Sequence, residues 1–147
     1  MRLIATGCAG FLLAVLWMDL IFDSQVLGHR RADVLPEPVI ASIAGYYRRA
    51  TTRPLSLFIA LVMLILLGAL TYRWFAGDDP VWLLVTLTVL AGAPILLALT
   101  RTVPNAVRLG VGAASQRELS RLARAICRDH LICLPLMAAF VVFWVTA

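Results

Sequence analysis

The sequence predicts an all-α integral membrane protein, a four-helix bundle in which residues 1–147 form a single domain with two cytoplasmic amphipathic helices. Hydrophobic residues make up 62% of the 147-residue chain and charged residues only 14%, whereas about half of a soluble domain is apolar. Four apolar stretches reach the length of about 20 residues that a helix needs to cross a bilayer. The thirteen basic residues are all arginines, and eleven of them lie in two of the three loops between these stretches.

The predicted spans cover four ranges, which are residues 3–22, 54–75, 81–100 and 128–145. Pro54 and Pro80 stand where the second and third spans begin, and a proline there loses no helical hydrogen bond. Pro104 follows the third span, and we expect it to end that helix because its ring interferes with the preceding turn.

The arginines also predict the orientation of the bundle. Loops rich in Arg face the cytoplasm, which places the first and third loops inside and both termini outside. Trp74, Trp82 and Trp144 then fall at the outer ends of three spans, as in an aromatic belt. The use of arginine without lysine suggests a bacterial source and therefore the plasma membrane.

Each arginine-rich loop is predicted to contain an amphipathic helix. In residues 37–50 the apolar side chains share one side, while Arg48 and Arg49 point elsewhere. In the third loop Ser115 and Glu118 have the spacing of a capping box, and the helix that follows is expected to run into the fourth span. Four arginines of this helix recur within an arc of about 60°, namely Arg117, Arg121, Arg124 and Arg128. These arginines, with Arg48 and Arg49 beside Tyr46 and Tyr47 as interfacial anchors, predict a face for anionic lipid headgroups or for an acidic or phosphate-bearing partner.

Asp19 is the candidate catalytic residue, because it lies inside the first span. A carboxylate in hydrocarbon costs a few kcal/mol, so it should face the bundle and have a partner. The expected partners are arginines at a similar depth, Arg53, Arg101 and Arg128. Asp19 is then either an acid that relays protons or binds a ligand, or one half of a structural ion pair.

The polar residues at the ends of the third and fourth spans allow further hypotheses. Arg101 and Asn105, on either side of Pro104, could form an anion or carbonyl pocket or a plain helix exit. His29 and His130 could meet, but their spacing matches no recognised metal or haem site, so we predict no metal and no cofactor. His130 is instead expected to join a polar cluster with Arg128 and Asp129.

Short motifs stand at the ends of the spans. They are Tyr47-Arg48 and Arg53-Pro54 before the second span, Val103-Pro104-Asn105 and Arg108-Leu109 after the third, and Arg128 to His130 before the fourth. In these motifs the chain resembles the anthrone-oxygenase-like family of small four-span membrane proteins. The resemblance covers most of the chain. It implies a membrane oxygenase that acts on a hydrophobic aromatic substrate without a conspicuous cofactor.

Three classes of function follow from these features. The absence of a recognised catalytic motif favours an accessory or scaffold subunit of a larger membrane complex. Asp19 and the resemblance favour an oxygenase-like enzyme acting on a lipophilic substrate, and the arginine stripe favours a lipid-binding or carrier protein. The expected partners are anionic membrane lipids and other membrane subunits or further copies of the chain. Nucleic acid is not expected, because the arginines flank apolar spans.

Overall fold

All regular structure in residues 2–77 and 79–146, which a computed structural model describes, is helical. The helices are α1 (Arg2–Asp23), α2 (Glu37–Ala50), α3 (Arg53–Ala76), α4 (Val81–Leu97), α5 (Val103–Val111) and α6 (Gln116–Thr146). A 3-10 helical turn, Ser24–His29, extends α1, and a π-helical turn, Ala98–Thr102, joins α4 to α5. The predicted all-α class is therefore confirmed.

Four helical segments of the described residues are long and apolar enough to cross a membrane. They are Arg2–His29, Arg53–Ala76, Val81–Val111 and Gln116–Thr146. Each contains one of the predicted spans, which indicates a multi-pass membrane protein. That α2 and the start of α6 are amphipathic helices at the cytoplasmic face stays a prediction.

The spanning parts of the helices share one apolar core. Helix α1 packs against α3 and α6, and α4 packs against α6. On α1 the core positions near the N-terminus are Ala5 and Ala9, both fully buried, and they face larger side chains such as Leu66 and Phe140. Small residues on one helix let a neighbouring helix approach closely in a membrane protein.

A second core lies at the other end of the bundle, which we call the arginine-rich end. Here α2 packs against α5 and the first turns of α6, and Ile43, Leu109 and Ile126 are fully buried. Helices α2 and α5 come close together at Gly110, where an added Cβ would lie 3.0 Å from the backbone nitrogen of Arg48. This core holds α2 against the ends of the spans.

The expectation that Pro104 ends the third helix is wrong, because the helix continues through the π-helical turn to Val111. In that turn the Val103 N–H bonds to the carbonyl of Ala98, five residues earlier. Pro104 comes directly after this change of hydrogen-bond register, at the start of α5, where a missing N–H is tolerated.

The predicted start of α6 is confirmed. Ser115 precedes the helix, and its hydroxyl accepts a hydrogen bond of 3.3 Å from the backbone N–H of Glu118. The helix then runs without interruption from Gln116 to Thr146.

The prediction that Trp144 lies in an aromatic belt is wrong. This side chain is buried in the spanning core and stacks on Phe140. The guanidinium of Arg73 lies 4.7 Å above the centre of its ring. Arg73 also donates two hydrogen bonds to Asp79, which hold the pKa of that carboxyl below its usual range. Trp144 is therefore buried because it covers a paired arginine.

Candidate functional site

A group of buried polar side chains lies where α1, α2 and α6 meet. Asp23, at the end of α1, is fully buried. The hydroxyl of Tyr47 donates to its carboxylate, 2.9 Å from each oxygen. Nδ1 of His130 lies 2.7 Å from Oδ2 of the same carboxylate. Since a carboxylate only accepts hydrogen bonds, Asp23 connects a tyrosine of α2 to a histidine of α6.

Asp19 lies one helical turn earlier and belongs to the same group. The hydroxyl of Tyr46 donates to its Oδ1 over 2.7 Å, and Nε2 of His130 lies 3.6 Å from its Oδ2. The imidazole of His130 is thus held between two carboxylates. We call these five residues, Asp19, Asp23, Tyr46, Tyr47 and His130, the carboxylate–histidine cluster.

The two tyrosines of the cluster remain hydrogen-bond donors over the whole physiological range. Burial raises the pKa of both phenols well above its usual value, and the neighbouring carboxylates of Asp19 and Asp23 raise it further. Phe22 stacks on the ring of Tyr46 with the ring centres 4.1 Å apart. The cluster is therefore closed by aromatic rings on the α2 side.

Asp129 precedes His130 on α6 and joins the cluster to a second feature. It is 1% exposed, with Nε of Arg101 at 3.3 Å and Nε of Arg128 at 3.8 Å from its carboxylate. The hydroxyl of Thr102 donates to it over 3.4 Å. Arg101 and Thr102 both belong to the π-helical turn, so this irregular turn brings them to the buried carboxylate.

The second feature is an open cleft of about 670 Å³ between the α4–α5 segment and α6. We call it the arginine cleft. Its lining residues are Asp33, Arg101, Asn105, Arg108, Arg117, Arg121, Leu122, Arg124, Ala125 and Arg128. Six of these ten residues are arginines, so the cleft concentrates positive charge on one side of the arginine-rich end.

Three carboxylates offset part of that charge. Glu118 binds Arg108 and lies 4.0 Å from Arg121. Asp33 lies 2.8 Å from Arg117, and Asp129 is shared by two further arginines as described above. Six arginines against three carboxylates leave three positive charges without a counter-charge in the cleft.

Arg124 is held by the loop that follows α1. Its guanidinium donates to the carbonyl of Ala32 and, at 3.4 Å, to that of His29. Its buried Nε–H finds no acceptor among the described residues. A buried donor without an acceptor is costly.

The cluster corrects the expected environment of Asp19. Arg101 and Arg128 bind Asp129 instead, and Arg53 makes no ion pair within residues 2–77 and 79–146. The physical reason is that α2 and α6 both pack against α1, so the hydroxyl of Tyr46 and the imidazole of His130 lie beside the carboxylate of Asp19. Tyr47 is therefore a buried hydrogen-bond donor and Tyr46 a half-buried one, and both hydroxyls point to carboxylates of α1 and not to the membrane surface.

His130 was expected beside Arg128 and Asp129, and this is also wrong. Successive helical residues point about 100° apart, so Asp129 faces the arginine cleft while His130 faces α1. His29 does not join His130, and its Nδ1 lies 3.2 Å from the carbonyl oxygen of Gln25.

The other predicted residues divide into two groups. Asn105 and the four arginines of the predicted stripe all line the arginine cleft. Arg48 donates to the carbonyl of Gly110 over 3.3 Å, and Arg49 is exposed. Sequence reasoning missed Asp23, although its spacing of four residues from Asp19 places both carboxylates on one side of α1.

A third feature is an apolar groove of about 550 Å³ between α1 and α6. It is lined by Gly10, Leu13, Ala14, Trp17, Met18, Leu134 and Ala138. Neither this groove nor the arginine cleft is lined by Asp19. Within the described part of the chain, no group of three or more His, Cys, Asp or Glu side chains is arranged to hold a metal ion.

No protein-family model, curated protein or solved structure matches this chain. The resemblance to the anthrone-oxygenase-like family therefore stays a prediction, and the function has to be argued from the side chains at the arginine-rich end.

Proposed function

We propose that this chain is a lipid-binding protein of the bacterial plasma membrane that holds phosphate-bearing anions at its arginine-rich end. The observation that carries the proposal is the arginine cleft, with six arginines and a surplus of three positive charges. Guanidinium groups present forked N–H donors that match phosphate oxygens, and such charge-assisted hydrogen bonds are among the strongest in proteins.

The cleft is also pre-organised for an anion. The buried carboxylate of Asp129 orients Arg101 and Arg128, and backbone carbonyls orient Arg124. Side chains already held in place lose less conformational entropy when a ligand binds.

The proposed orientation places the arginine-rich end in the cytoplasm, with both termini outside. Loops rich in arginine are retained on the cytoplasmic side. In this orientation α2 and the first turns of α6 are amphipathic helices at the inner membrane surface, where anionic lipid headgroups are concentrated.

Thermal unfolding of the detergent-solubilised protein tests the proposal. A ligand that binds only the folded state raises the unfolding temperature, and we expect a rise of about 5 °C at saturating ligand. The probes are inorganic pyrophosphate and phosphatidic acid, each compared with chloride at equal ionic strength. A triple variant with Arg117→Gln, Arg121→Gln and Arg128→Gln should lose the rise.

A matched control removes the same charge elsewhere. Arg30, Arg31 and Arg53 are exposed and make no ion pair among the described residues, so their triple replacement by Gln should keep the rise. If neither probe stabilises the wild-type protein, or if both triple variants respond alike, the cleft is not an anion site.

An accessory or scaffold subunit is the second candidate function, and the apolar groove between α1 and α6 favours it. The small residues Gly10, Ala14 and Ala138 line this groove, and small residues are typical of surfaces where membrane helices pack together. Purification from native membranes in mild detergent should then retain a partner in a fixed ratio. Ala14→Trp should release that partner, and recovery of the chain alone would contradict this function.

A further inference from the structure

We infer that the ligand of the arginine cleft is a membrane lipid whose phosphate headgroup carries two negative charges, which deepens the proposed function and rests on it. Two independent observations support this inference. One is the apolar surface that continues from the cleft, and the other is the charge balance of the cleft.

The apolar surface begins on α6 directly beyond the arginines. Leu131, Ile132 and Pro135 follow Arg128 at helical steps of three and four, so they lie on the same side of α6 as the arginine stripe. All three are exposed. The polar wall of the cleft therefore passes into an apolar strip on the membrane side.

The opposite wall shows the same change. Leu96 precedes Arg101 by about one turn on the membrane side, and it is 63% exposed. Exposed apolar side chains thus lie on the membrane side of the arginines on both walls. This is the arrangement that an amphiphile requires, with its phosphate among the guanidiniums and its acyl chains along the apolar strips. A soluble phosphate would contact only the arginines and not the apolar strips.

The surplus of positive charge in the cleft indicates how many negative charges the headgroup carries. Three carboxylates, Asp33, Glu118 and Asp129, pair with the six arginines and leave three positive charges. A phosphomonoester carries about −1.5 to −2 at neutral pH, and a lipid with two phosphodiester groups carries about −2. Either headgroup matches the surplus better than a single phosphodiester, which carries one negative charge.

Native mass spectrometry of the detergent-solubilised protein, titrated with lipids of identical acyl chains, tests the inference. The dianionic probes are phosphatidic acid and cardiolipin, the monoanionic probe is phosphatidylglycerol, and the neutral probe is phosphatidylcholine. We expect the dianionic lipids to half-saturate the protein at about tenfold lower concentration than phosphatidylglycerol. Glycerol 3-phosphate has the headgroup of phosphatidic acid without its chains, and we expect it to bind at least about tenfold more weakly than phosphatidic acid.

The variants locate the binding. Replacing Arg117, Arg121 and Arg128 by Gln should weaken phosphatidic acid binding about 100-fold. The control replacement of Arg30, Arg31 and Arg53 should weaken it less than about threefold, because those arginines lie outside the cleft.

Each alternative outcome has a distinct meaning. If phosphatidylglycerol binds as tightly as phosphatidic acid, the inference that the headgroup carries two charges is wrong. If glycerol 3-phosphate binds as tightly as phosphatidic acid, the inference that the ligand is a lipid is wrong. The proposed anion site would stand in both cases. If no anion binds, or if the cleft variant binds as the wild type does, the inference and the proposed function fail together.

Discussion

Asp23 is the residue that holds the arginine-rich end to the spans. Its one buried carboxylate accepts hydrogen bonds from Tyr47 of α2 and His130 of α6. A buried polar group that loses its partner costs the full desolvation of that group. The stability of the junction therefore depends on this side chain far more than on any exposed ion pair of the cleft.

Asp23→Ala should lower the free energy of unfolding by about 3 kcal/mol, because it leaves a phenol and an imidazole buried without their acceptor. Equilibrium unfolding in mixed detergent micelles measures this change. The control is Asp33→Ala, which removes an exposed carboxylate paired with Arg117 and should cost less than about 1 kcal/mol. Equal losses in the two variants would show that the cluster does not stabilise the junction.

Tyr47 should make stability depend on alkaline pH. Burial and the carboxylates of Asp23 and Asp19 raise the pKa of its phenol in the folded protein, whereas an unfolded tyrosine titrates near pH 10. The folded state then binds more protons above that pH, so this contribution is fully present below about pH 10 and is lost as the pH rises further.

The measurement is the free energy of unfolding at about pH 9 to 11 for the wild type and for Tyr47→Phe. The wild type should lose stability more steeply with pH than the variant. Lysine and cysteine also titrate in this pH range, but they do not affect the comparison. The chain contains no lysine, and the cysteines are common to both proteins. Parallel pH profiles would contradict a buried, protonated phenol.

At the scale of the elements, the contact between α2 and α5 positions the tyrosines of the cluster. Gly110 allows this contact, since any side chain there would press on the backbone of Tyr47 and Arg48. The π-helical turn has a matching role on the other side, because it turns Arg101 and Thr102 toward Asp129. The π-helical turn and Gly110 thus place the arginine cleft next to the carboxylate–histidine cluster.

Gly110→Ala should lower the free energy of unfolding by about 1–3 kcal/mol, because the backbone of α2 has to move to admit the methyl group. Gly45→Ala is the matched control, since a Cβ at Gly45 in α2 would meet nothing within 4 Å. That control should be neutral or stabilising by up to about 1 kcal/mol. If Gly110→Ala behaves like the control, the close approach of α2 and α5 is not needed for stability.

At the scale of the whole molecule, the charge distribution divides the bundle into two unlike ends. The arginine cleft, α2 and the carboxylate–histidine cluster all lie at one end. The other end carries the paired Arg73 and Asp79 and the tight connection between α3 and α4. Within the described residues, the surplus of arginine therefore lies at one end of the bundle.

Cysteine labelling tests the proposed orientation. In a variant without native cysteines, Ser115→Cys marks the arginine-rich end and Ala76→Cys marks the opposite end. A membrane-impermeant maleimide added to intact spheroplasts should label Ala76→Cys only, because the arginine-rich loops stay in the cytoplasm. Both positions should react after lysis, and labelling of Ser115→Cys alone in intact spheroplasts would reverse the orientation.

Residue patterns along the chain were enough to predict the helical class, the four candidate spans, the helix at residues 37–50 and the arginine stripe that lines the cleft. These features depend on hydropathy and on helical periodicity, which act over neighbouring residues. Capping at Ser115 is equally local, so it too was predicted correctly.

The pairing of the polar groups depends on how the helices pack, and residue patterns did not predict it. Asp19 pairs with Tyr46 and His130, and Asp129 takes the arginines that Asp19 was expected to bind. Spacing along one helix shows which way a side chain points, but it does not show which helix lies opposite. The packing of α2 against α1 and α5 and the π-helical turn before Pro104 settle that question, because both are set by contacts between residues far apart in the chain.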